Sequence, residues 1–250
     1  MSQRSLLLIL AHPDDEAFMA AGTIAKYLSE GCSVSLVTAT LGDRGKTGGL
    51  CSSEELAELR RNELRNALEI LGLERAILLG YLDRELERAN PDEMRRTLVK
   101  IIRDHAPQVV ITFDPNGANT HPDHVAISRF TTDAVNAAAD PRWYPELGPP
   151  VHVARYLWQS PTRVYDLAHT PNLASQPGID FLIDVSPWWH KKEQALRAHA
   201  SQVPGFHSLW FEKPTKEFPD IPATLSLEAF RLACGPPPST HPAPDLFDGL

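Results

Sequence analysis

Leu6-Leu7-Leu8-Ile9-Leu10-Ala11-His12-Pro13-Asp14-Asp15-Glu16 decides how the rest of the chain is read. Its first half is a continuous apolar run of strand length, the pattern of a central parallel strand covered on both faces. Its second half sets a histidine and three carboxylates where that strand would end. Grouping such side chains beside a buried strand is costly unless they are paired or hold a metal. The stretch therefore reads as half of a metal site. A matching half, Thr120-His121-Pro122-Asp123-His124, follows a second apolar run, Val109 to Phe113.

Working outward, Ala17 to Glu30 reads as a helix closed by Gly31, and Ser33 to Ala39 as the next strand, a βαβ unit of right-handed crossover. Ser52-Ser-Glu-Glu55 is a capping box for a helix through Leu71, with Leu56, Leu59, Leu64, Leu68 and Leu71 as its core stripe. Its Arg60, Arg61, Glu63 and Arg65 read as a solvated face. Ala76 to Leu79 is a third strand, and Asn90-Pro91 opens a helix to about His105. Val109 to Phe113 is the fourth strand, and Pro122 starts a helix to about Ala138. Val153 to Trp158 and Phe181 to Val185 are further strands. Ser186-Pro187 opens a helix containing Lys191, Lys192, His199 and Gln202. The expected fold is a Rossmann-like α/β domain with a mostly parallel sheet, helices on both faces and the site at the carboxyl ends of the strands. That domain spans residues 1–235, and the proline-dense 236–250 is an irregular or mobile tail.

The glycine-rich stretch Thr40 to Gly49 contains Gly45-Lys46-Thr47, but it lacks the first glycine of a nucleotide phosphate loop and no helix follows Thr47. It reads instead as a flexible, substrate-facing loop. A chain of 250 residues with formal charge -8 and no Lys/Arg cluster excludes a nucleic-acid footprint. Cys32, Cys51 and Cys234 make no CxxC pair and suit reduced thiols. No export signal or membrane-length apolar run is present, so the expectation is a soluble cytoplasmic protein with no membrane partner. His105, His152, His169, His190, His207 and His241 have no partner pattern and read as ordinary.

Two histidines and one carboxylate leave coordination positions open, as a catalytic zinc requires. His12, Asp15 and His124 are the candidate ligands. Asp14 cannot point the same way as its neighbour, which frees it to act as general base. His121 can stabilise an oxyanion or protonate a leaving amine, Asp123 can orient it, and Glu16 is structural. The same donor set also describes an Fe2+ site of the non-haem oxygenase kind. A non-enzymatic sugar-binding module whose site has decayed is the other competitor, and intact Asp14 and His121 argue against it.

Ala11-His-Pro-Asp-Asp-Glu16 together with His121-Pro-Asp-His124 resembles the PIG-L/LmbE-like family of zinc-dependent N-acetylglucosaminyl deacetylases. The resemblance extends over roughly residues 5 to 235 and includes the Arg60 to Glu63 segment, Gly80-Tyr-Leu-Asp83, Phe113-Asp-Pro-Asn-Gly117, His199-Ala-Ser-Gln202 and Glu228-Ala-Phe-Arg231. It implies one Zn2+ on His12, Asp15 and His124, catalysis by Asp14 and His121, and sugar contacts from Arg61 or Arg60 and from Asp83. The implied substrate is a small amino-sugar conjugate such as GlcNAc-malate or GlcNAc-inositol, with acetate released. A different acyl amino sugar or thiol conjugate is the alternative within the same chemistry, and homo-oligomers are common among such enzymes. The aglycone would meet the loops around Gly42 to Cys51 and Pro141 to Pro150. One departure stands out: Thr120 occupies a place where the family often has glycine.

Overall fold

A computed structural model describes residues 3–159, 178–204 and 227–250; His169 and His207 lie outside them. The first apolar run is strand β1 (Ser5–Leu10), and Asp15–Ser29 forms helix α1. Strand β2 (Ser33–Thr40), helix α2 (Leu56–Leu71), strand β3 (Ala76–Tyr81), helix α3 (Pro91–His105) and strand β4 (Val109–Thr112) follow. A single turn, α4 (Gly117–Thr120), precedes helix α5 (Pro122–Ala139). Then come β5 (Arg155–Gln159), β6 (Phe181–Asp184), helix α6 (Trp189–Ala198) and β7 (Leu227–Cys234).

The strands make one seven-stranded sheet in the order β3-β2-β1-β4-β5-β7-β6. β1 pairs in parallel with both β2 and β4, and parallel pairing continues outward to β3 and β5. Right-handed crossovers leaving β1 toward β2 and β3 put α1 and α2 on one face, whereas α3 and α5, which carry the chain back toward β4 and β5, cover the other. The packing agrees: α1 and α2 meet α6, and α3 meets α5. β1 is therefore the strand at which the order reverses, and the loops after β1 and β4 open a crevice between them. Leu6 to Leu10 and Val109 to Ile111 are buried on both sides, as continuous apolar runs require.

Several expectations change. Leu227–Cys234 is a strand that the sequence analysis did not identify; it runs antiparallel between β5 and β6, so the sheet is mixed at that edge. The helix after Ser186-Pro187 ends at Ala198, and His199 to Gln202 lie beyond it, because Leu196 O receives the His199 N–H and closes the last turn. Arg60 and Glu63, assigned to a solvated face, are buried, whereas Arg61 and Arg65 face solvent. Residues 236–250 have no helix or extended strand, yet they are docked. Ala243 bridges Phe181, Leu246 and Phe247 are buried, and the fully buried Arg155 donates to the carbonyl oxygens of Pro236, Leu246 and Asp248. Arg103 does the same for the connection after α5, reaching the carbonyls of Ala138, Asp140 and Tyr144.

Helix α1 is kinked at Ala20 (φ -150°, ψ 16°). Past the kink, the N–H groups of Gly22 and Thr23 donate to the Glu228 carboxylate of β7 at 3.0 and 2.8 Å, and Lys192 of α6 donates to the same carboxylate at 2.8 Å. Gly22 also leaves no room for a side chain, since a Cβ there would lie 2.4 Å from Val185. Among the described residues no helix is long and apolar enough to cross a membrane.

Candidate active site

The loop after β1 delivers His12 and Asp14, the first residue of α1 is Asp15, and α5 delivers Asp123 and His124 behind its N-cap His121. His12 Nδ1 lies 3.1 Å from His124 Nε2. The Asp15 carboxylate lies 3.3 Å from His124 Nε2 and 3.7 Å from His12 Nδ1. All three residues are buried. Gly117 O accepts the His124 Nδ1–H at 3.1 Å, which leaves the Nε2 lone pair directed at the cluster. Phe113 stacks on the same ring, with centroids 3.9 Å apart and planes 9° apart, and fixes its orientation.

Asp123 differs from the expectation. It does not orient His121; its Oδ2 faces His12 Nε2 at 3.1 Å, and its two oxygens accept the N–H groups of Arg84 (2.6 Å) and Leu86 (3.1 Å). The physical reason is position: Asp123 is one residue into α5, and its side chain points back toward β1 rather than along the helix to His121. Asp83 Oδ1 lies 3.2 Å from the same His12 nitrogen, so this buried carboxylate sits behind His12 instead of in open space where a sugar would pass. With carboxylates on Nε2, His12 keeps its proton there and presents Nδ1 as a lone pair. Burial disfavours a charged His12, but Asp123 and Asp83 outweigh it and raise its pKa to about 10, so a cation has to compete with a proton.

His121 caps α5: its Nδ1 accepts the Asp123 N–H at 3.2 Å. That bond places the ring proton on Nε2 and makes neutral His121 a donor. Burial and the neighbouring His12 and His124 rings push its pKa down. Its ring centroid stands 4.7 Å from that of His12, edge to face.

Asp14 takes a different partner from Asp15. Its backbone is left-handed (φ 108°), a conformation disfavoured for any residue but glycine, and its carboxylate pairs with Arg60 at 3.0 Å. Burial pushes its pKa up to about 6, against the pull of Arg60. For Asp15 burial would also raise the pKa, but His124 and His12 overcome it and hold it at about 2.

Arg60 is drawn into the site, but toward protein groups: it also donates to Gly42 O and to Pro13 O. Arg61 is not brought in; its guanidinium pairs with Glu58 on the exposed side of α2. The glycine-rich loop is closely packed at two of its glycines. A Cβ at Gly42 would lie 1.7 Å from Arg60, and one at Gly48 would lie 2.7 Å from Ser201 O. Thr120, the departure from glycine, has φ 64°, so a β-branched residue holds a glycine conformation there.

A metal fits this donor set. His12, His121 and His124 present ring nitrogens within 4.8 Å of one another, and His12, Asp83, His121 and Asp123 form an overlapping group. Asp123 and His121 Nδ1 are already occupied by backbone N–H groups. His12 Nδ1, His124 Nε2 and Asp15 Oδ1 face one another instead, and once the proton between them is displaced they could together hold a divalent ion.

Residues 7–135 match the family model described as PIG-L, GlcNAc-PI de-N-acetylase. A relative from Rhodococcus jostii, 1D-myo-inositol 2-acetamido-2-deoxy-alpha-D-glucopyranoside deacetylase, is 35% identical over 81% of this chain and 83% of its own length. Among solved structures, N,N'-diacetylchitobiose deacetylase from Pyrococcus horikoshii superposes with TM-score 0.72 at 24% identity, covering 92% of this chain and 84% of that one. GalB, the 4-carboxy-2-hydroxymuconate hydratase from Pseudomonas putida, superposes with TM-score 0.71 at 20% identity, covering 95% and 99%. The two structures are likenesses of fold, and one fold carrying two reaction names leaves the chemistry to the side chains.

Proposed function

Since the chain belongs to the PIG-L family, we propose that it hydrolyses the N-acetyl group of a small N-acetylglucosaminyl conjugate of the GlcNAc-inositol class, releasing acetate and the free amine. The observation that carries this reading is the opposed aim of Asp14 and Asp15: one carboxylate joins two histidines, and its neighbour stands beside them on Arg60. His12, Asp15 and His124 would hold a Zn2+, which when bound supplies Lewis acidity and lowers the pKa of a water. Asp14, at about 6, is ionised at neutral pH yet basic enough to take the proton as that water attacks the amide carbon. Arg60 keeps the carboxylate in place. His121 Nε2–H donates to the developing oxyanion, and the amine leaves with the proton that Asp14 collected. Asp123 and Asp83 hold His12 in the tautomer whose Nδ1 is free.

The test is acetate release from 1D-myo-inositol 2-acetamido-2-deoxy-α-D-glucopyranoside, with N,N'-diacetylchitobiose and GlcNAc-malate alongside. Turnover that is lost on chelation and restored by Zn2+ is expected. Absence of acetate from all three substrates at full metal loading would overturn the reading, and restoration by Fe2+ alone would move it to a different metal.

A further inference from the structure

The segment just after α6 reaches each of the separate pieces that frame Asp14. His199 Nε2 lies 2.7 Å from Glu16 Oε1, and Glu16 Oε2 accepts the Asp14 N–H at 3.1 Å. Glu16 and His199 are both completely buried. Ser201 donates its N–H and its Oγ–H to Glu63 at 2.6 and 2.7 Å, one turn along α2 from Arg60. Gln202 Nε2 donates to Lys46 O at 2.8 Å in the glycine-rich loop.

Two costs need an explanation. A dry carboxylate and imidazole are expensive to bury, and so is the left-handed backbone of Asp14, roughly 1–3 kcal/mol for a residue with a side chain. Such strain persists only where the surroundings over-determine the conformation. The Glu16 carboxylate is what does so here, because it receives the main-chain N–H of the strained residue itself. Glu16 is in turn held by His199, and the backbone just beyond His199 is tied to α2 through Ser201 and to the glycine-rich loop through Gln202. Neither Glu16 nor His199 has a hydrogen bond or ion pair to His12, Asp15 or His124 among those seen in the structure.

We propose that Glu16 and His199 are a positioning pair for Asp14: the pair sets the base's backbone, and thereby the aim of its carboxylate, without touching substrate or metal. The proposal rests on Asp14 being the base. Aim matters for proton transfer and little for binding the sugar, so the pair acts on kcat and leaves KM and metal content alone.

The test compares His199→Leu with His199→Gln, whose amide N–H reaches Glu16 from the same place, in the full-length zinc-loaded protein. His199→Leu is expected to lower kcat on the order of 10- to 100-fold, as loss of a supporting partner does, with KM and zinc per chain at wild-type values. His199→Gln is expected to recover most of the loss. If His199→Leu fails to fold, His199→Asn, too short to reach Glu16, takes its place. A kcat within about twofold of wild type would overturn the proposal; so would a loss expressed in KM or in zinc content, or a Gln variant no better than Leu or Asn. Asp14→Asn assayed in parallel separates the two ideas. If it keeps full turnover, base and positioning pair both fall; if it collapses while the His199 variants do not, only the pair falls.

Discussion

Asp14 and Asp15 are adjacent and chemically identical, and the structure sends them to opposite environments. Asp15 accepts the N–H groups of Ala11 (3.1 Å) and His12 (2.7 Å) on one oxygen and turns the other to His124, and its pKa falls to about 2. Asp14 sits on a left-handed backbone against a single guanidinium, and burial lifts its pKa to about 6. The difference teaches that a pair of like residues is divided by one backbone torsion: with φ inverted at Asp14, one carboxylate is held ionised by two histidines while burial raises the pKa of the other.

The division can be broken most severely at Asp15. Asp15→Ala should lose the metal and lower turnover on the order of 10⁴-fold, since several kcal/mol of charge stabilisation go with the ion; metal analysis of the purified variant checks this. Asp14→Asn should keep the metal and lose about 10²–10³-fold in kcat, the contribution of a positioned base. The next effect is on pH. With Asp14 as the proposed base, kcat should fall as pH drops through about 6. Arg60→Gln removes the cation that favours the carboxylate, so this acid limb should move to higher pH, read from kcat profiles of the two proteins. The smallest effect is on stability. Asp14→Gly should be more stable than Asp14→Ala by about 1 kcal/mol, because only glycine adopts this φ without strain; denaturant unfolding measures it, and equal stabilities would remove strain from the account.

Much of this was legible from residue pattern. β1 and β4 announced themselves as apolar runs buried on both faces, and Asn90-Pro91 and Gly31 marked helix ends that the structure keeps. The two segments whose histidines and carboxylates meet in the structure were readable because each follows such a run. The illegible parts share a cause, which is that a polar residue's sequence neighbours do not reveal what it touches. Arg60 and Arg61 are indistinguishable as letters, and only the position of α2 turns one inward to Asp14 and the other to solvent. Glu63 reads as a surface charge because its partner Ser201 is 138 residues away. β7 escaped notice because Glu228, buried in it, interrupts the apolar alternation for the sake of α1. For Asp123 the spacing suggests His121 as its neighbour, while the helix turns its carboxylate to His12.

The bond from Glu228 to α1 also has a meaning in time. The kinked helix donates to a carboxylate 206 residues downstream. During synthesis at about 5–20 residues per second, α1 would wait on the order of 10–40 s for that acceptor to leave the ribosome. Until then the N–H groups of Gly22 and Thr23 are free to continue an ordinary helical ladder, so a nascent chain is expected to carry a straighter α1. The bend in α1 is thus expected to be a late event, made when the last strand enters the sheet.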